Sequence, residues 1–553
     1  MLLKVKTLIK EKLLKHYQFP VLVEEPKREE ADLAIPLFNL ARQTEIKITT
    51  LAEEIKALLS EEELISEVYF LKGFLNLNLN KKLYAKAVLK EVVTLKEDYG
   101  SVKEKKGVVV IDFSSPNIAK NFSVGHLRST VIGASLARLY QKRGYEVIKI
   151  NHLGDWGTQF GKMIVAYLKW GDETSLKTNP IDYLQNLYVK FHEESNDSLE
   201  EEARFVFKEL EKGNKKYLAL WQQFKQLSLL SFQEIYELLK VSFDYYHGES
   251  FYQDKTAEIV LKLNEKGLTK KDDGALIVDL EKENLGVSLI ERSDGATLYM
   301  TRDLAALFYR FKTFNFSKIL YVVGNEQKLH FKQLEAITRL MGYDFEIIHV
   351  NFGLILKDGK KMTTRGGNVV KLKAVIDEAI EIAEAVIEEK NPHLKNKEEV
   401  ARSVALSAII FNDLKQDRNL DIEFDLEEML SFEGLTGPYL QYSSVRMASL
   451  LKAQTLTGKI AYELFEDELY FKLIKEVSVF NELLEKSLEA DAPYLISRYL
   501  LNLAALFNRF YSSHKIIVNE EIVKNTNLTL TFVVRTVLNE GLKLLNMTVL
   551  DEM

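Results

Sequence analysis

The segment SSPNIAKNFSVGH, residues 114–126, gathers an amide, a lysine, a glycine and an imidazole into one short stretch. Gly125 has no side chain, so a nucleotide could lie against the backbone there. His126 opens a helix, where unpaired N–H groups and the helix dipole favour phosphate. An imidazole at that point can donate to phosphate oxygens as charge builds on them. Lys120 adds a mobile cation just upstream. Taken alone, the Gly-His pair reads better as an ordinary helix entry, because so short a motif recurs by chance.

Three further segments carry polar chemistry. KDGKKMTTRGGNVVKL, 357–372, sets Lys357, Lys360, Lys361, Met362 and Arg365 among glycines. A mobile cationic loop can close on a triphosphate and stabilise departing pyrophosphate; by itself the segment reads better as a solvated basic turn. NHLGDWGTQFG, 151–161, offers Gly154, Gly157 and Gly161 for close approach to a nucleotide, or simply a glycine-rich turn. In SDGATLYMTRDLAALFYRF, 293–311, Tyr299 and Asp303 share one face if a helix has begun. Taken alone, Arg302 and Asp303 read better as a helix-start ion pair.

The elements that must position these residues are legible. VVVIDF, 108–113, is a continuous apolar run, as in a strand buried on both faces. Leu127, Val131, Ile132, Leu136, Leu139 and Tyr140 then recur at helical spacing, Gly144 caps the helix, and YEVIKIN is a second strand. KILYVVGN, KLHFKQLEAITRLMG and FEIIHVNFG repeat the pattern downstream. Two β-α-β halves imply a Rossmann-like parallel sheet, with ligands at the carboxyl ends of its strands. The stretch between the halves is partly helical, with hairpin signals in KKDDGALIVDL and ERSDGATLYM. The predicted architecture is α/β: an α+β N-terminal domain over 1–105, a parallel-sheet domain over 106–371 with an insertion at 165–290, a helical connecting region over 372–433 and an all-α domain over 434–553. The lysine-rich SVKEKKG, 101–107, reads as an exposed joint.

At 553 residues the chain exceeds one core, and two to four domains are expected. There is no cysteine, which removes disulfides, thiolate nucleophiles and cysteine-based zinc sites. That fits a reducing compartment, and with no secretory or membrane-spanning segment the expected location is the cytoplasm. A net charge of −7 runs against nucleic-acid binding and confines any such contact to local basic patches. No G-x-G-x-x-G follows the first strand, which disfavours a dinucleotide dehydrogenase.

Together these segments resemble, in order, the class I arginyl-tRNA synthetases. SVGH, 123–126, is similar to the HIGH signature and KMTTR, 361–365, to KMSKS. SSPNIAK, GHLRSTVIG, NHLGDWGTQFG, GPYLQY and the terminal EGLKLLNMTVLDEM resemble that family in particular. Two positions depart: Ser123 replaces the first HIGH histidine and Thr364 the second KMSKS lysine. The family often lacks that lysine, with a lysine upstream of HIGH in its place, and Lys120 matches the position. The resemblance implies activation of arginine with ATP and transfer to tRNA(Arg), Mg2+ arriving with ATP as substrate and no protein-bound metal. It assigns Lys120, His126 and Lys361 to catalysis, and Ser123, Gly125, His126, Gly154, Lys361 and Met362 to ATP. Asp303 and Tyr299 are assigned to the arginine guanidinium with help from Asp112, and Asn117 and Gln327 to the amino-acid end. Tyr439 and Tyr442 are assigned to tRNA bases, although buried core tyrosines fit those positions as well. The N-terminal domain would contact the tRNA elbow, the C-terminal helices would bind the anticodon, and activation would commonly need bound tRNA. A monomer is expected. The rival readings are another adenylate-forming enzyme of the HIGH superfamily, able to spare the helical C-terminus, and a non-catalytic tRNA-binding paralogue, disfavoured by Lys120, His126 and Lys361.

Overall fold

The computed structural model describes residues 1–26, 31–293, 298–362, 370–452 and 454–553, with Lys361 described for its backbone alone. In the N-terminal unit the helix Leu2–Tyr17 buries Leu2, Val5, Ile9 and Leu13, the three-and-four spacing of one helical face. Strands β1 (Leu33–Pro36), β2 (Ile65–Leu71) and β3 (Phe74–Leu79) form an antiparallel sheet in the order β1-β3-β2. Leu75, Leu77 and Leu79 of β3 alternate into the core.

The joint that follows is exposed over 103–107 yet tied down by its backbone. Val102 N–H donates to Lys142 O at 3.0 Å and Lys106 N–H to Gly144 O at 3.0 Å. Gly144 closes the helix Val124–Lys142 with φ 92°, and a Cβ there would lie 2.4 Å from Glu104 O. Only glycine meets both demands.

At the centre, β4 (Val108–Asp112), β5 (Glu146–Ile150), β9 (Lys318–Tyr321) and β10 (Glu346–His349) form an all-parallel sheet in the order β10-β9-β4-β5. Val109, Val110 and Ile111 are fully buried, as the unbroken apolar run requires. Between the halves lie helices that include Thr158–Trp170, Pro180–Glu193, Asp197–Glu211 and Lys215–Leu238. An antiparallel sheet of β6 (Thr269–Asp272), β7 (Ala275–Asp279) and β8 (Val287–Glu291) completes the insertion. Asp273 and Gly274, both at positive φ, form the first expected hairpin turn. The second signal, ERSDGATLYM, behaves differently. Its residues 294–297 lie outside the described ones, and Tyr299 begins a helix (Tyr299–Phe314) rather than a returning strand.

Beyond 372 the described residues are mainly helical, with one short strand that periodicity does not reveal. β13 (Ile422–Glu423) pairs in parallel with β11 (Ile355–Lys357), whose other edge takes β12 (Lys360–Lys361). Two residues are too few for alternation to register in sequence. Long helices such as Lys397–Leu414, Glu468–Glu489, Tyr494–Ser513 and Glu521–Leu544 complete the C-terminal part.

Candidate active site

The carboxyl ends of β4 and β9 lie side by side, with Asp112 in register with Tyr321. The chain leaves β4 toward β5 on one side and later enters β9 on the other, so strand order reverses here. That is where an open parallel sheet leaves a crevice.

The loop after β4 is held in an unfavourable backbone conformation. Ser114, Ser115 and Ala119 have φ of 73°, 47° and 57°. Such non-glycine residues persist only where the surroundings dictate them. Here buried side chains do so: Ser129 Oγ accepts from Ser114 N–H at 2.8 Å, and Ser228 Oγ accepts from Ala119 N–H at 2.8 Å. Ser115 Oγ donates to Asp112 Oδ1 at 3.0 Å. Asn117 and Lys120 are left exposed on the outer side.

Two glycines of NHLGDWGTQFG serve packing. Gly154 N–H donates to Pro116 O at 3.1 Å, and a Cβ on Gly154 would lie 1.8 Å from Asn117 Oδ1. The missing side chain therefore makes room for Asn117. A Cβ on Gly161 would lie 2.2 Å from Ala203 O. Gly161 is buried where two insertion helices touch, so of its two readings the structural one holds.

Ser123 caps the helix that begins at Val124, and His126 answers it. Ser123 N–H donates to His126 Nδ1 at 3.0 Å, and Ser123 Oγ lies 3.0 Å from the same nitrogen. An Nδ1 that accepts must be bare, so the ring hydrogen sits on Nε2. Burial pushes the imidazole down to about 4, Ser123 partly opposing and Lys120 adding to the shift. At neutral pH His126 is an uncharged donor at a helix start.

The cationic segment returns to this helix. Val124 N–H donates to Val370 O at 3.0 Å, Leu372 N–H donates to Phe122 O at 3.0 Å, and Ser123 bridges Lys371. Met362 N–H donates to Ile355 O at 3.3 Å at the outgoing end. Thr363, Thr364 and Arg365 lie outside the described residues, as does the Lys361 side chain.

On the other wall, Tyr299 and Asp303 lie one turn apart, Tyr299 68% exposed. Asp303 Oδ2 lies 2.6 Å from His330 Nε2. Asp112 Oδ2 contacts Arg310 Nη1 at 2.8 Å, and both side chains are buried. Arg310 also donates to Tyr252 OH at 3.3 Å and lies 3.2 Å from His152 Nδ1. Its guanidinium is held more firmly charged by Tyr252 and Asp112, against the cost of burial. Tyr321 carries a buried hydroxyl with no hydrogen-bond partner among the described residues, a group a substrate could engage. Gln327 is exposed in a short 3-10 turn after β9.

Sequence reasoning passed over Arg310, His330 and Glu249. Glu249 contacts Arg302 at 3.1 Å, and Arg302 lies over the Tyr299 ring at 5.7 Å. Burial raises the Glu249 carboxyl to about 7; Arg302 opposes this, and Asp303 and Asp155 add to it. No local pattern marks Glu249. It stands in GES, a plain helix start, about fifty residues from the partner it meets.

In the C-terminal part a cavity of about 610 Å3 is lined by Lys390, Phe432, Tyr439, Tyr442, Arg446 and Asn508, among others. Tyr442 is 42% exposed, with the Arg446 guanidinium 5.0 Å from its ring. Tyr439 is half-buried and its hydroxyl accepts from Asn508 at 3.0 Å. Among the described residues no helix is long and apolar enough to cross a membrane, and no cluster of histidine and acidic side chains could hold a metal.

Class I aminoacyl-tRNA synthetases build their catalytic unit on this plan, and residues 88–426 match the family model described as tRNA synthetases class I (R), catalytic domain. Residues 440–553 match the DALR anticodon binding domain, and 3–79 the arginyl tRNA synthetase N terminal domain. The chain is 46% identical to the arginine--tRNA ligase of an Exiguobacterium species, over 97% of this chain and 96% of that one. It is 45% identical to that of Enterococcus faecalis, over 97% and 96%. The chain belongs to the arginyl-tRNA synthetase family. Its fold is shared with the arginyl-tRNA synthetases of Thermus thermophilus (TM-score 0.85, 24% identity, 100% of this chain and 99% of that one) and Plasmodium falciparum (TM-score 0.83, 24% identity, 100% and 98%).

Proposed function

We propose that the chain activates arginine with ATP and transfers the arginyl group to tRNA(Arg). The arginine carboxylate attacks the α-phosphorus of ATP, bound with Mg2+, and pyrophosphate leaves. The terminal ribose hydroxyl of tRNA then attacks the arginyl carbonyl, and AMP leaves. The protein's part is positioning and charge stabilisation. His126 donates from Nε2 to a phosphate oxygen, Lys120 and Lys361 offset the charge that develops, and Ser123, Gly125, Gly154 and Met362 border the nucleotide. Asp303 and Tyr299 take the substrate guanidinium, a planar fork that pairs with carboxylate in bidentate fashion. Asp112, already paired with Arg310, assists at the guanidinium, and Asn117 and Gln327 hold the amino-acid end. Lysine lacks the fork and leaves acceptors unpaired, so it is rejected without editing.

The observation that carries this reading is the pairing of 370–372 with 122–124, which joins the end of the cationic segment to the start of the His126 helix. Its test is aminoacylation of total tRNA with each of the twenty amino acids. Arginine alone should be esterified; charging with another amino acid, or none, would overturn the assignment. Tyr439 and Tyr442 stack on tRNA bases, supported by an aromatic cavity that sets Lys390 and Arg446 beside Glu433. The enzyme acts as a cytoplasmic monomer, the second point open to light scattering.

A further inference from the structure

Two residues beyond His126, Arg128 turns inward, its side chain 1% exposed. Nε faces the Asp413 carboxylate at 3.3 Å, Nη1 donates to Leu420 O at 2.8 Å, and the guanidinium lies over the Phe352 ring at 5.8 Å. Asp413 ends the helix Lys397–Leu414, and Leu420 lies in the strip that leads into β13. That strip carries the outgoing arm of the cationic segment. Gly353 N–H donates to Arg418 O at 2.9 Å, Leu354 N–H to Asp421 Oδ1 at 2.6 Å, and Ile355 and Leu356 pair with Ile422 and Glu423. The incoming arm is bonded directly to the start of the His126 helix. Both arms are thus referenced to one helix, the incoming arm by its own backbone and the outgoing arm through Arg128.

We infer that Arg128 is a positioning residue for adenylate formation: it fixes the outgoing arm of the 357–370 segment at a set distance from the helix that carries His126. Stability alone is a poor account of the pair. Buried arginine–carboxylate pairs often add no stability over apolar residues of similar size. This one is badly matched: among the described residues Arg128 Nη2 and Asp413 Oδ2 have no hydrogen-bond partner, and Oδ2 has only the 3.3 Å ion contact with Nε. What Arg128 supplies without compromise is the short bond to Leu420 O, which locates the strip. The inference rests on the reading that the segment acts on the ATP phosphates.

The test is ATP–pyrophosphate exchange by the full chain with tRNA present. The double variant Arg128→Met/Asp413→Leu removes both charges and leaves no buried ion unpaired. Arg128→Lys keeps a charge for Asp413 but lacks the fork that also reaches Leu420 O. Whichever variant melts as the parent does is the one to read. We expect its exchange kcat to fall by roughly 10²-fold, the scale of a small misplacement, with the arginine KM unchanged. In a Lys361→Ala background the same substitution should cost less than about twofold, because the two act through one loop. A folded variant with parental kcat, or a cost that multiplies undiminished onto Lys361→Ala, overturns the inference alone. Parental exchange by Lys361→Ala itself overturns the phosphate reading beneath it, and the inference with it.

Discussion

The two walls of the crevice are prepared in opposite ways. On the amino-acid side the ionisable groups are already partnered: Asp112 with Arg310, Asp303 with His330, Glu249 with Arg302. On the phosphate side Lys120 and Lys357 are exposed and make no ion pair among the described residues, and His126 is neutral. The difference follows from the ligands. A guanidinium is recognised by geometry, so its acceptors must be held before it arrives. A triphosphate is recognised by charge that builds during reaction, so its cations must be free to follow it.

The sharpest way to break this contrast is Lys120→Ala. Its exchange rate should fall roughly 10²–10³-fold, the scale of losing one charge-stabilising donor, with little change in arginine KM. An unchanged rate would remove Lys120 from the phosphate wall. Asp303→Asn should do the reverse, raising arginine KM about 10–100-fold, the worth of a charged hydrogen bond, while ATP KM holds; arginine titrations on the variant decide it. Gly154→Ala forces Asn117 out of its place and adds bulk at the border of the nucleotide, so arginine KM and ATP KM should both rise; an ATP KM that holds would remove Gly154 from the nucleotide.

Two pH profiles give the smallest effects. Burial raises Glu249 to about 7, so this carboxyl gains its charge across neutrality. Arginine KM should fall a few-fold as pH rises through that range, and the trend should vanish in Glu249→Gln. The linked effect on stability has the opposite sign. A raised acid favours the folded state fully below its ordinary value near 4.5 and loses that contribution as pH climbs to about 7. His126, lowered to about 4, is neutral throughout, so the exchange rate should show no inflection near 6.5. An inflection there, absent from a His126→Asn variant, would mean a charged imidazole takes part.

Much of this site could be read from the chain. The apolar run of β4 required a strand buried on both faces, Gly144 required a helix end, and the helical spacing from Leu127 onward placed the His126 imidazole at a helix start. Each is a local rule in which backbone and neighbouring side chains suffice. Gly161 stayed open, because a glycine needed for helix contact and one needed by a ligand look alike until the neighbour is known. β13 escaped notice because two residues carry no period.

The sequence by itself determined the longer strands and helices of the parallel sheet and which residue types stand at its strand ends, since those depend on contacts within a few positions. Only the tertiary structure decided who partners whom. Asp112 meets Arg310, Glu249 meets Arg302 and Arg128 meets Asp413 across long stretches of chain, and a carboxylate's pairing and charge depend on burial that no local pattern encodes.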